Sequence, residues 1–382
     1  MSVLEIDLNA IKQNLEDAKK LLNHNQKICF VVKANAYGFG AKKIVKFFCE
    51  DVDCFAVSSE KEFFQVCKVT NKAILILDPI YENITKLAKN GAEFSVPNKT
   101  CFDKIFSVAK ANNNVKFKIH LKLNTGMNRF GFNELKDVFD VIKKSQKLQN
   151  IQICGVFSHY FDAKCENFAK NQNEKFLNFV GLMNEKTNLK NVTKHICATD
   201  GLVCFNGFDM VRLGMFLYSD ARHSTLTLKS KILDFHILDK GDTAGYGAIF
   251  KANKKTKLAT VGIGYGDGLF RNIVKKGYVL INGKAAKIVA VCMDSILVDA
   301  TNIDSKIGDD VVLIGKSENA QIFICDVASW CDTIDYEIIT HLSQRIKRKY
   351  IRWFYANYNR KIQSKKTCRR WRRNNQTNSC KG

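Results

Sequence analysis

The chain has 382 residues, 46% of them hydrophobic, which is enough for one large domain or for two domains with cores of their own. No apolar run is long enough to span a membrane, and the N-terminus lacks the basic and apolar regions of a secretory signal. The fourteen cysteines include no C-x-x-C pair, and the seven histidines are not clustered. We therefore predict a cytoplasmic protein with reduced thiols, no membrane partner and no metal site.

The net charge of +23 is concentrated at the C-terminus. Residues 345–382 contain fourteen Lys and Arg and no Asp or Glu. The segment 351–382 also lacks hydrophobic periodicity, so we predict a basic, disordered tail. Two other interpretations stay open: contact with nucleic acid or an acidic membrane through Arg, Trp and Tyr, or out-of-frame sequence after the natural end. Of these interpretations we favour the disordered tail, and we therefore expect no nucleic-acid partner.

Strand and helix patterns alternate over the first 220 residues. Residues 2–7 predict a short strand, and an apolar stripe over residues 8–22 predicts a helix. Eight short apolar runs then alternate with amphipathic segments; they are 28–33, 54–57, 73–77, 93–96, 115–123, 151–157, 193–198 and 209–213. Eight strands in alternation with helices predict a (β/α)8 barrel of the TIM type.

The pattern changes after Tyr218. Strand-like segments separated by Gly, Asn and Asp turns predict a smaller, mainly-β C-terminal domain, interrupted by a helix at 322–330. The strand-like segments are 225–239, 256–263, 278–282, 286–291, 295–299 and 309–314. We therefore predict an α/β fold with a barrel at 1–220, a β-rich domain at 221–350 and the tail at 351–382. Residues 2–7 are a candidate additional strand of the β-rich domain.

Lys33 ends the first buried run of the predicted barrel. Barrels of this class carry their catalytic groups at the C-terminal ends of the strands. Partial desolvation lowers the pKa of a lysine, so its amine can act as a nucleophile or form a Schiff base. The alternative is a structural lysine whose amine extends into solvent.

The sequence around Lys33 favours the chemical interpretation. Residues 31–40, VVKANAYGFG, resemble the pyridoxal-phosphate (PLP) lysine motif of the alanine racemases, VVKANAYGHG, with Phe39 in place of His. Residues 121–132, LKLNTGMNRFGF, resemble the family's LKxDTGMxRxG motif, with Asn124 in place of Asp. The resemblance runs from about residue 2 to residue 350. It implies a PLP-dependent racemase that interconverts L- and D-alanine for peptidoglycan.

The resemblance also implies the residues that bind the cofactor. Lys33 would hold PLP as a Schiff base, and Arg212, next to His159, would face the pyridine nitrogen. A guanidinium there opposes protonation of the nitrogen, weakens the ring as an electron sink and so favours racemisation over transamination. Asp200 is expected to point away from the phosphate, which would repel it. The residues implied to bind the phosphate are Tyr37, Thr199, Gly214, Met215 and Tyr336.

Racemisation needs an acid/base group on each face of the planar carbanion. By the resemblance, Lys33 would serve one face. Tyr246, in the stretch GDTAGYGAIF, which is similar to the family's GxxVSYG, would serve the other. Family members take this tyrosine from the second subunit, which implies a homodimer with shared active sites.

Several residues are implied to bind the substrate. Arg129 would contact its carboxylate and the phenolic oxygen of PLP, a role that suits a bidentate guanidinium. Lys122 matches a lysine that many members carry in carbamylated form and that fixes this arginine. The stretches GIGYGDG and VCMDS match the family's GYxDG and VCMDQ. They would place Tyr265, Met293 and Asp294 at the substrate entrance.

Two alternatives remain from the sequence. One is a racemase of the same fold with broader specificity, because the width of the substrate entrance is not readable from a sequence. The other, of a different class, is a non-catalytic or nucleic-acid-binding protein that acts through the basic tail.

Overall fold

The computed structural model describes residues 2–187, 189, 191–199, 201–204 and 208–351. Asp200 and the tail beyond Ile351 lie outside these ranges. The described residues pack into two compact units. One comprises residues 15–36 and 41–217, and the other comprises residues 2–14, 37–40 and 218–351.

The first unit contains a parallel sheet of eight strands. With β1 at Val3–Asp7 in the other unit, these strands are β2 (Lys27–Val31), β3 (Cys54–Val57), β4 (Ala73–Ile76), β5 (Ala92–Val96), β6 (Phe117–Lys122), β7 (Ile151–Phe157), β8 (Thr193–His195) and β9 (Met210–Leu213). Their order is β8-β7-β6-β5-β4-β3-β2-β9. The two edge strands meet where Asp209 N donates to Lys194 O at 2.9 Å and Arg212 N donates to Cys197 O at 3.0 Å. The sheet is therefore a nearly closed barrel.

Helices follow the strands and bury their apolar faces. Two of them begin at side chains that cap a backbone amide, Ser59 for Glu62 N and Asn98 for Cys101 N. The helices before residue 220 are Leu8–Lys19, Ala41–Phe48, Glu60–Val66, Ile84–Lys89, Lys99–Lys110, Leu135–Ser145, Glu166–Lys186, Gly201–Cys204 and Met215–Tyr218. None of the helices described in the chain is both long and apolar enough to cross a membrane.

The second unit is mainly antiparallel β-structure. Its further strands are β10 (Leu226–Leu238), β11 (Thr243–Ala244), β12 (Phe250–Lys251), β13 (Thr256–Val261), β14 (Tyr278–Ile281), β15 (Lys284–Val291), β16 (Ile296–Asp299), β17 (Asp310–Ser317), β18 (Ala320–Ile322) and β19 (Lys347–Ile351). The long β10 pairs with β17 through its first half and with β13 through its second half. This double pairing closes a ring of six strands, β10-β17-β14-β15-β16-β13.

Strand β1 extends this sheet from the other end of the sequence. It pairs antiparallel with β10, where Val3 lies opposite Lys229, and parallel with β19, where Val3 lies opposite Lys347. Two α-helices, Ile324–Trp330 and Asp335–His341, complete the unit together with 3-10 turns at Tyr246–Ala248, Tyr265–Asp267 and Arg271–Lys275.

The predicted fold class is confirmed: a barrel of eight parallel strands alternating with helices, followed by a mainly-β sheet. All eight predicted barrel strands are present, with ends that differ by a few residues. The helix predicted at 322–330 begins at Ile324, because β18 extends to Ile322. The helix Asp335–His341 was not predicted, since it buries only Ile338 and Ile339 and so has no apolar stripe long enough to recognise.

Candidate active site

Lys33 lies two residues beyond β2 and is half-buried. Burial lowers the pKa of its amine, and the positive charge of Arg129 lowers it further. The carboxylates of Asp78 and Glu62 act in the opposite direction and are outweighed. A larger share of this amine is therefore neutral at a given pH than for a lysine in water.

The four residues after Lys33 form a left-handed turn. Ala34, Asn35, Ala36 and Tyr37 have φ angles between 51° and 55°. Each such residue without glycine's freedom costs about 1–2 kcal/mol relative to a right-handed conformation. The carboxylate of Glu62 supports the turn, because it accepts from Ala34 N at 2.7 Å and from Ser58 N at 2.8 Å. Sequence reasoning missed Glu62, whose role depends on the first turn of the helix Glu60–Val66 lying beside Ala34.

Residues 37–40 belong to the second compact unit and pack there on aromatic rings. The ring of Tyr37 lies 5.0 Å from that of Tyr218 and 6.1 Å from that of Tyr336. Burial, and then Tyr336, raises the pKa of Tyr37. Phe39, which stands in the place of the family's His, is fully buried with its ring 4.9 Å from Tyr218. It therefore acts as a core residue.

Arg212 on β9 is buried and donates several hydrogen bonds. Its Nη1 donates to Nδ1 of His195 at 2.7 Å, and its Nη2 lies 2.8 Å from Ser158 O and 3.2 Å from Nδ1 of His159. Burial lowers the pKa of Arg212 to about 10, so it remains charged at neutral pH. Burial, followed by the charge of Arg212, lowers the pKa of His159 to about 3, so that imidazole is neutral.

Lys122 is a buried lysine that faces other positive groups. Its amine lies over the rings of Phe130, at 5.0 Å, and Phe157, at 5.3 Å. Burial lowers its pKa to about 8, and the charges of Arg129 and Arg212 add to that effect. Arg129 itself is exposed. The charge of Arg129 reaches Lys122, since it is one of the causes that lower the pKa of this amine.

The loop that carries Arg129 folds back onto β6. Phe132 N donates to Lys122 O, and Asn124 N donates to Phe132 O, each at 2.9 Å. The side-chain oxygen of Asn124 accepts from the backbone amides of Gly126 and Asn128 at 3.1 and 3.0 Å. These are bonds that an aspartate could also accept. Asn124 therefore keeps the loop-shaping function that the replaced residue type would have.

The residues implied to bind phosphate fall into two groups. Thr199 Oγ1 accepts from Phe216 N at 3.1 Å, which links Thr199 to the segment that carries Gly214 and Met215. Both of those residues are buried. Tyr37 and Tyr336 lie together in the other unit, as described above.

The remaining predicted site residues lie in turns of the second unit. Tyr246 is 74% exposed and Met293 is 52% exposed. Asp294 accepts a hydrogen bond from Arg345 at 2.6 Å. Gly266 N donates to Met293 O at 2.8 Å, so the turn of Tyr265 and the turn of Met293 are joined.

The side chains of the barrel fit PLP. A partly neutral lysine amine can condense with its aldehyde. Nη1 of Arg212 has two hydrogens and donates to His195, which leaves one N–H for an acceptor such as a pyridine nitrogen. The amides of Gly214 and Met215 and the hydroxyl of Thr199 are donors of the kind that phosphate binds.

Comparison with known proteins gives one family over nearly the whole chain. Residues 6–222 match the family "Alanine racemase, N-terminal domain", and residues 225–350 match "Alanine racemase, C-terminal domain". Alanine racemase 2 of Caldanaerobacter subterraneus subsp. tengcongensis is 32% identical over 372 residues, covering 91% of this chain and 94% of that protein. Alanine racemase 2 of Bacillus subtilis is 32% identical over 377 residues, with the same coverage of 91% and 94%.

Solved structures agree with the sequence comparison. The alanine racemase of Bacillus anthracis with bound L-Ala-P superimposes with a TM-score of 0.86 at 27% identity, covering 92% of this chain and 95% of that one. The alanine racemase of Bartonella henselae with covalently bound pyridoxal phosphate gives a TM-score of 0.81 at 28% identity, covering 92% and 99%. Together with the two matched domains, these similarities show that the chain belongs to the alanine racemase family and is a PLP-dependent amino-acid racemase.

Proposed function

We propose that this chain interconverts L-alanine and D-alanine by a two-base mechanism in which Lys33 and Tyr246 serve opposite faces of the substrate. The observation that carries the proposal is the half-buried amine of Lys33 at the end of β2, with its pKa lowered by burial and by Arg129. The names of the relatives, all alanine racemases, supply the substrate. The D-alanine would serve peptidoglycan synthesis in the cytoplasm.

PLP, when bound through Lys33, supplies an electron sink that acidifies the Cα–H bond of the amino acid. The residues of this chain that would hold it are Lys33, Tyr37, His159, Thr199, Arg212, Gly214, Met215 and Tyr336. Arg212 would donate to the pyridine nitrogen and stay charged, since its pKa of about 10 lies well above neutral pH. Neutral His159 would keep its place beside the guanidinium by accepting at Nδ1.

The two proposed bases, Lys33 and Tyr246, lie in different surroundings. Lys33 removes or returns a proton at Cα on one face, and its lowered pKa makes the neutral amine more available. Tyr246 would act on the other face and come from a partner subunit. Its exposure of 74% in a single chain suits a side chain that a second copy covers. We therefore propose a homodimer with shared active sites.

Four residues would bind the substrate: Arg129, Tyr265, Met293 and Asp294. Arg129 would bind the carboxylate, for which its exposed guanidinium is free to reach outward. We also propose that Lys122 is carbamylated. Its pKa of about 8 leaves a reactive neutral amine, and the carbamate would bring a negative charge to a site where Arg129 and Arg212 are positive.

The same proposal divides the chain into a PLP-binding barrel at 1–220, a β-rich domain at 221–350 and a basic tail at 351–382. The pairing of Val3–Asp7 with β10 supports adding residues 2–7 to the β-rich domain. Deletion of residues 351–382 is expected to leave racemisation intact. If the deletion abolished the main activity while the full chain failed to racemise any amino acid, the tail-based alternative would be favoured.

An absorbance spectrum of the purified protein tests the cofactor lysine. We expect a visible PLP band that borohydride bleaches and that Lys33→Ala lacks. Lys99→Ala is the control, because Lys99 lies on the same unit but pairs at the surface with Asp137 at 2.9 Å and Asp140 at 3.0 Å. A colourless wild type with added PLP contradicts the proposal. Turnover of alanine, serine and lysine then tests specificity, and a preference for lysine contradicts the alanine assignment.

A further inference from the structure

A row of four polar side chains connects β5 to β9. Nη1 of Arg212 lies 2.7 Å from Nδ1 of His195, and Nε2 of His195 lies 3.1 Å from Nδ1 of His120. Nε2 of His120 lies 3.0 Å from Oε2 of Glu93. His120 is two residues from Lys122 on β6, so the row runs along the same face of the sheet as that lysine. Both histidines and the arginine are buried.

The two ends of the row together fix the direction of every hydrogen bond in it, because a guanidinium only donates and an ionised carboxylate only accepts. A guanidinium only donates, so Nδ1 of His195 must accept and its proton must be on Nε2. That N–H then donates to Nδ1 of His120, whose own proton must be on Nε2. The row ends where this second N–H donates to the carboxylate of Glu93. Protonated His120 would donate from Nδ1 and leave His195 with no proton, so both imidazoles are neutral.

The surrounding barrel is built to let the two histidines meet. Strand β7 lies between β6 and β8, and its residue opposite His120 is Gly155. A methyl group at Gly155 would overlap the imidazole of His120. Phe157, two residues further on β7, stacks on His195 with ring centroids 4.8 Å apart and an angle of 2°. Gly155 therefore leaves space for the ring of His120, and stacking on Phe157 holds the imidazole of His195 in its orientation.

The carboxylate at the end of the row is ionised at neutral pH. Burial opposes its ionisation, but the hydrogen bond from His120 and the nearby amine of Lys118 favour it, and the pKa of Glu93 lies below its usual value. A negative charge at Glu93 and a positive charge at Arg212 therefore bracket two neutral imidazoles. In this arrangement each hydrogen bond polarises the next.

We infer that Glu93 and His120 are positioning residues for Arg212: the carboxylate fixes the tautomer of both imidazoles and so directs the lone pair of His195 at the guanidinium. The inference rests on the proposed place of Arg212 beside the pyridine nitrogen. If the row holds the guanidinium in one orientation, it also controls how strongly the cofactor withdraws electrons. Glu93, remote from the substrate along this row, would then affect the ratio of racemisation to transamination.

Histidine tautomers are the direct test, and they do not depend on activity. Nitrogen-15 spectra of the histidine-labelled holoenzyme distinguish Nε2–H from Nδ1–H, and seven histidines can be assigned by single substitutions. We expect neutral Nε2–H forms for both His120 and His195 at neutral pH. An Nδ1–H form at either residue, or a doubly protonated ring, overturns the inference even if racemisation is normal.

Three substitutions test separately the charge of Glu93, its hydrogen bond with His120 and the space that Gly155 leaves for the ring of His120. Glu93→Ala removes the final acceptor, so only the hydrogen bond from His195 still favours the Nε2–H form of His120 and the residue should populate both tautomers. Glu93→Gln keeps an acceptor oxygen without the charge and should restore the Nε2–H form. Gly155→Ala keeps all four polar side chains but should push the His120 ring out of line. The control is Glu5→Gln, because Glu5 has the same 13% side-chain exposure as Glu93 and pairs with Lys229 and Lys349, with no histidine involved.

The expected consequence for catalysis is a change in the ratio of racemisation to transamination. Glu93→Ala is expected to lower kcat for alanine about tenfold, because the guanidinium of Arg212 is no longer held in one orientation, with KM changed less than about twofold. The amount of pyruvate released per alanine racemised should rise, and Glu93→Gln should fall between Ala and wild type. Unchanged tautomers and unchanged pyruvate in Glu93→Ala overturn the inference. A wild type with the expected tautomers but no racemisation would instead contradict the proposed function alone.

Discussion

The two units carry their predicted site residues in different ways. In the barrel, Lys33, Lys122 and Arg212 lie in protein surroundings that lower the pKa of each group. In the second unit, Tyr246 and Met293 are more than half exposed. The barrel residues are therefore held by their neighbours within one chain, whereas the side chains of these turns in the second unit are largely in contact with solvent. Because of this difference, some substitutions should change activity without changing stability, and others should change stability without changing activity.

The largest expected effect is a loss of activity that leaves stability almost unchanged. Tyr246→Phe removes a hydroxyl from an exposed side chain, so the free energy of unfolding should change by less than about 0.5 kcal/mol. Loss of one base should lower racemisation at least about a hundredfold. Because Lys33 remains, one enantiomer of alanine should still exchange its Cα proton with deuterated solvent.

The control for Tyr246→Phe is Tyr81→Phe, at a tyrosine that is 41% exposed in the barrel unit. Activity within tenfold of wild type in Tyr246→Phe, or equal loss of proton exchange for both enantiomers, would contradict the two-base assignment.

The next effect is on stability without an expected change in chemistry. Asp220 is buried, and its Oδ2 accepts from Ile324 N at 2.9 Å. Burial raises its pKa to about 7, with Asp335 and Asp326 adding to that effect. Between about pH 4 and pH 7 the folded carboxyl holds a proton that the unfolded one has lost, so stability falls as pH rises, by roughly 2–4 kcal/mol in total.

Asp220→Asn keeps the acceptor and removes the ionisation, so urea unfolding at pH 5 and pH 8 should show a smaller loss of stability than in wild type. Asp239→Asn, at an exposed position of the same unit, is the control and should keep the wild-type pH dependence. An unchanged slope in Asp220→Asn would show that another group causes the dependence.

The smallest effect concerns the left-handed turn. Ala34 is exposed with φ of 51°, so Ala34→Gly relieves backbone strain without opening a cavity. The gain, partly offset by a more flexible unfolded chain, should raise the free energy of unfolding by up to about 1 kcal/mol. Ala111→Gly is the matched control, because Ala111 is exposed with φ of −82° and glycine should destabilise it. Equal destabilisation by both substitutions would contradict the strain.

The features that depend on neighbours in the sequence could be predicted. Each buried barrel strand is a short apolar run, and eight runs alternating with helices indicate the barrel. The resemblance also implied roles for Lys33, Arg129 and Arg212, since each lies inside a recognisable string of residues. The ring of six strands could not be predicted in this way, because it depends on one strand, β10, pairing with two partners along its length.

The features that depend on strand register were missed. Glu93 and His120 are 27 residues apart, and His120 and His195 are 75 apart. No local pattern connects them, and each taken alone reads as an ordinary residue of a strand. Their alignment depends on which residues lie opposite each other across β5 to β8, and on the missing side chain at Gly155. The left-handed turn was missed because Asn35 is the one residue of the four that favours positive φ, whereas Ala34, Ala36 and Tyr37 do not.

The pairing of β1 bears on how the protein forms during synthesis. Val3 leaves the ribosome well before its partners Lys229 and Lys347, which are more than 200 and more than 300 residues further along the chain. All eight barrel strands lie before residue 214, so they can assemble while the rest is still being translated. The first strand must remain unpaired until the ring and β19 exist, and long-range pairing of this kind is slow and exposed to aggregation. Chaperone dependence should therefore be greatest after the barrel strands have assembled and before the ring and β19 have formed.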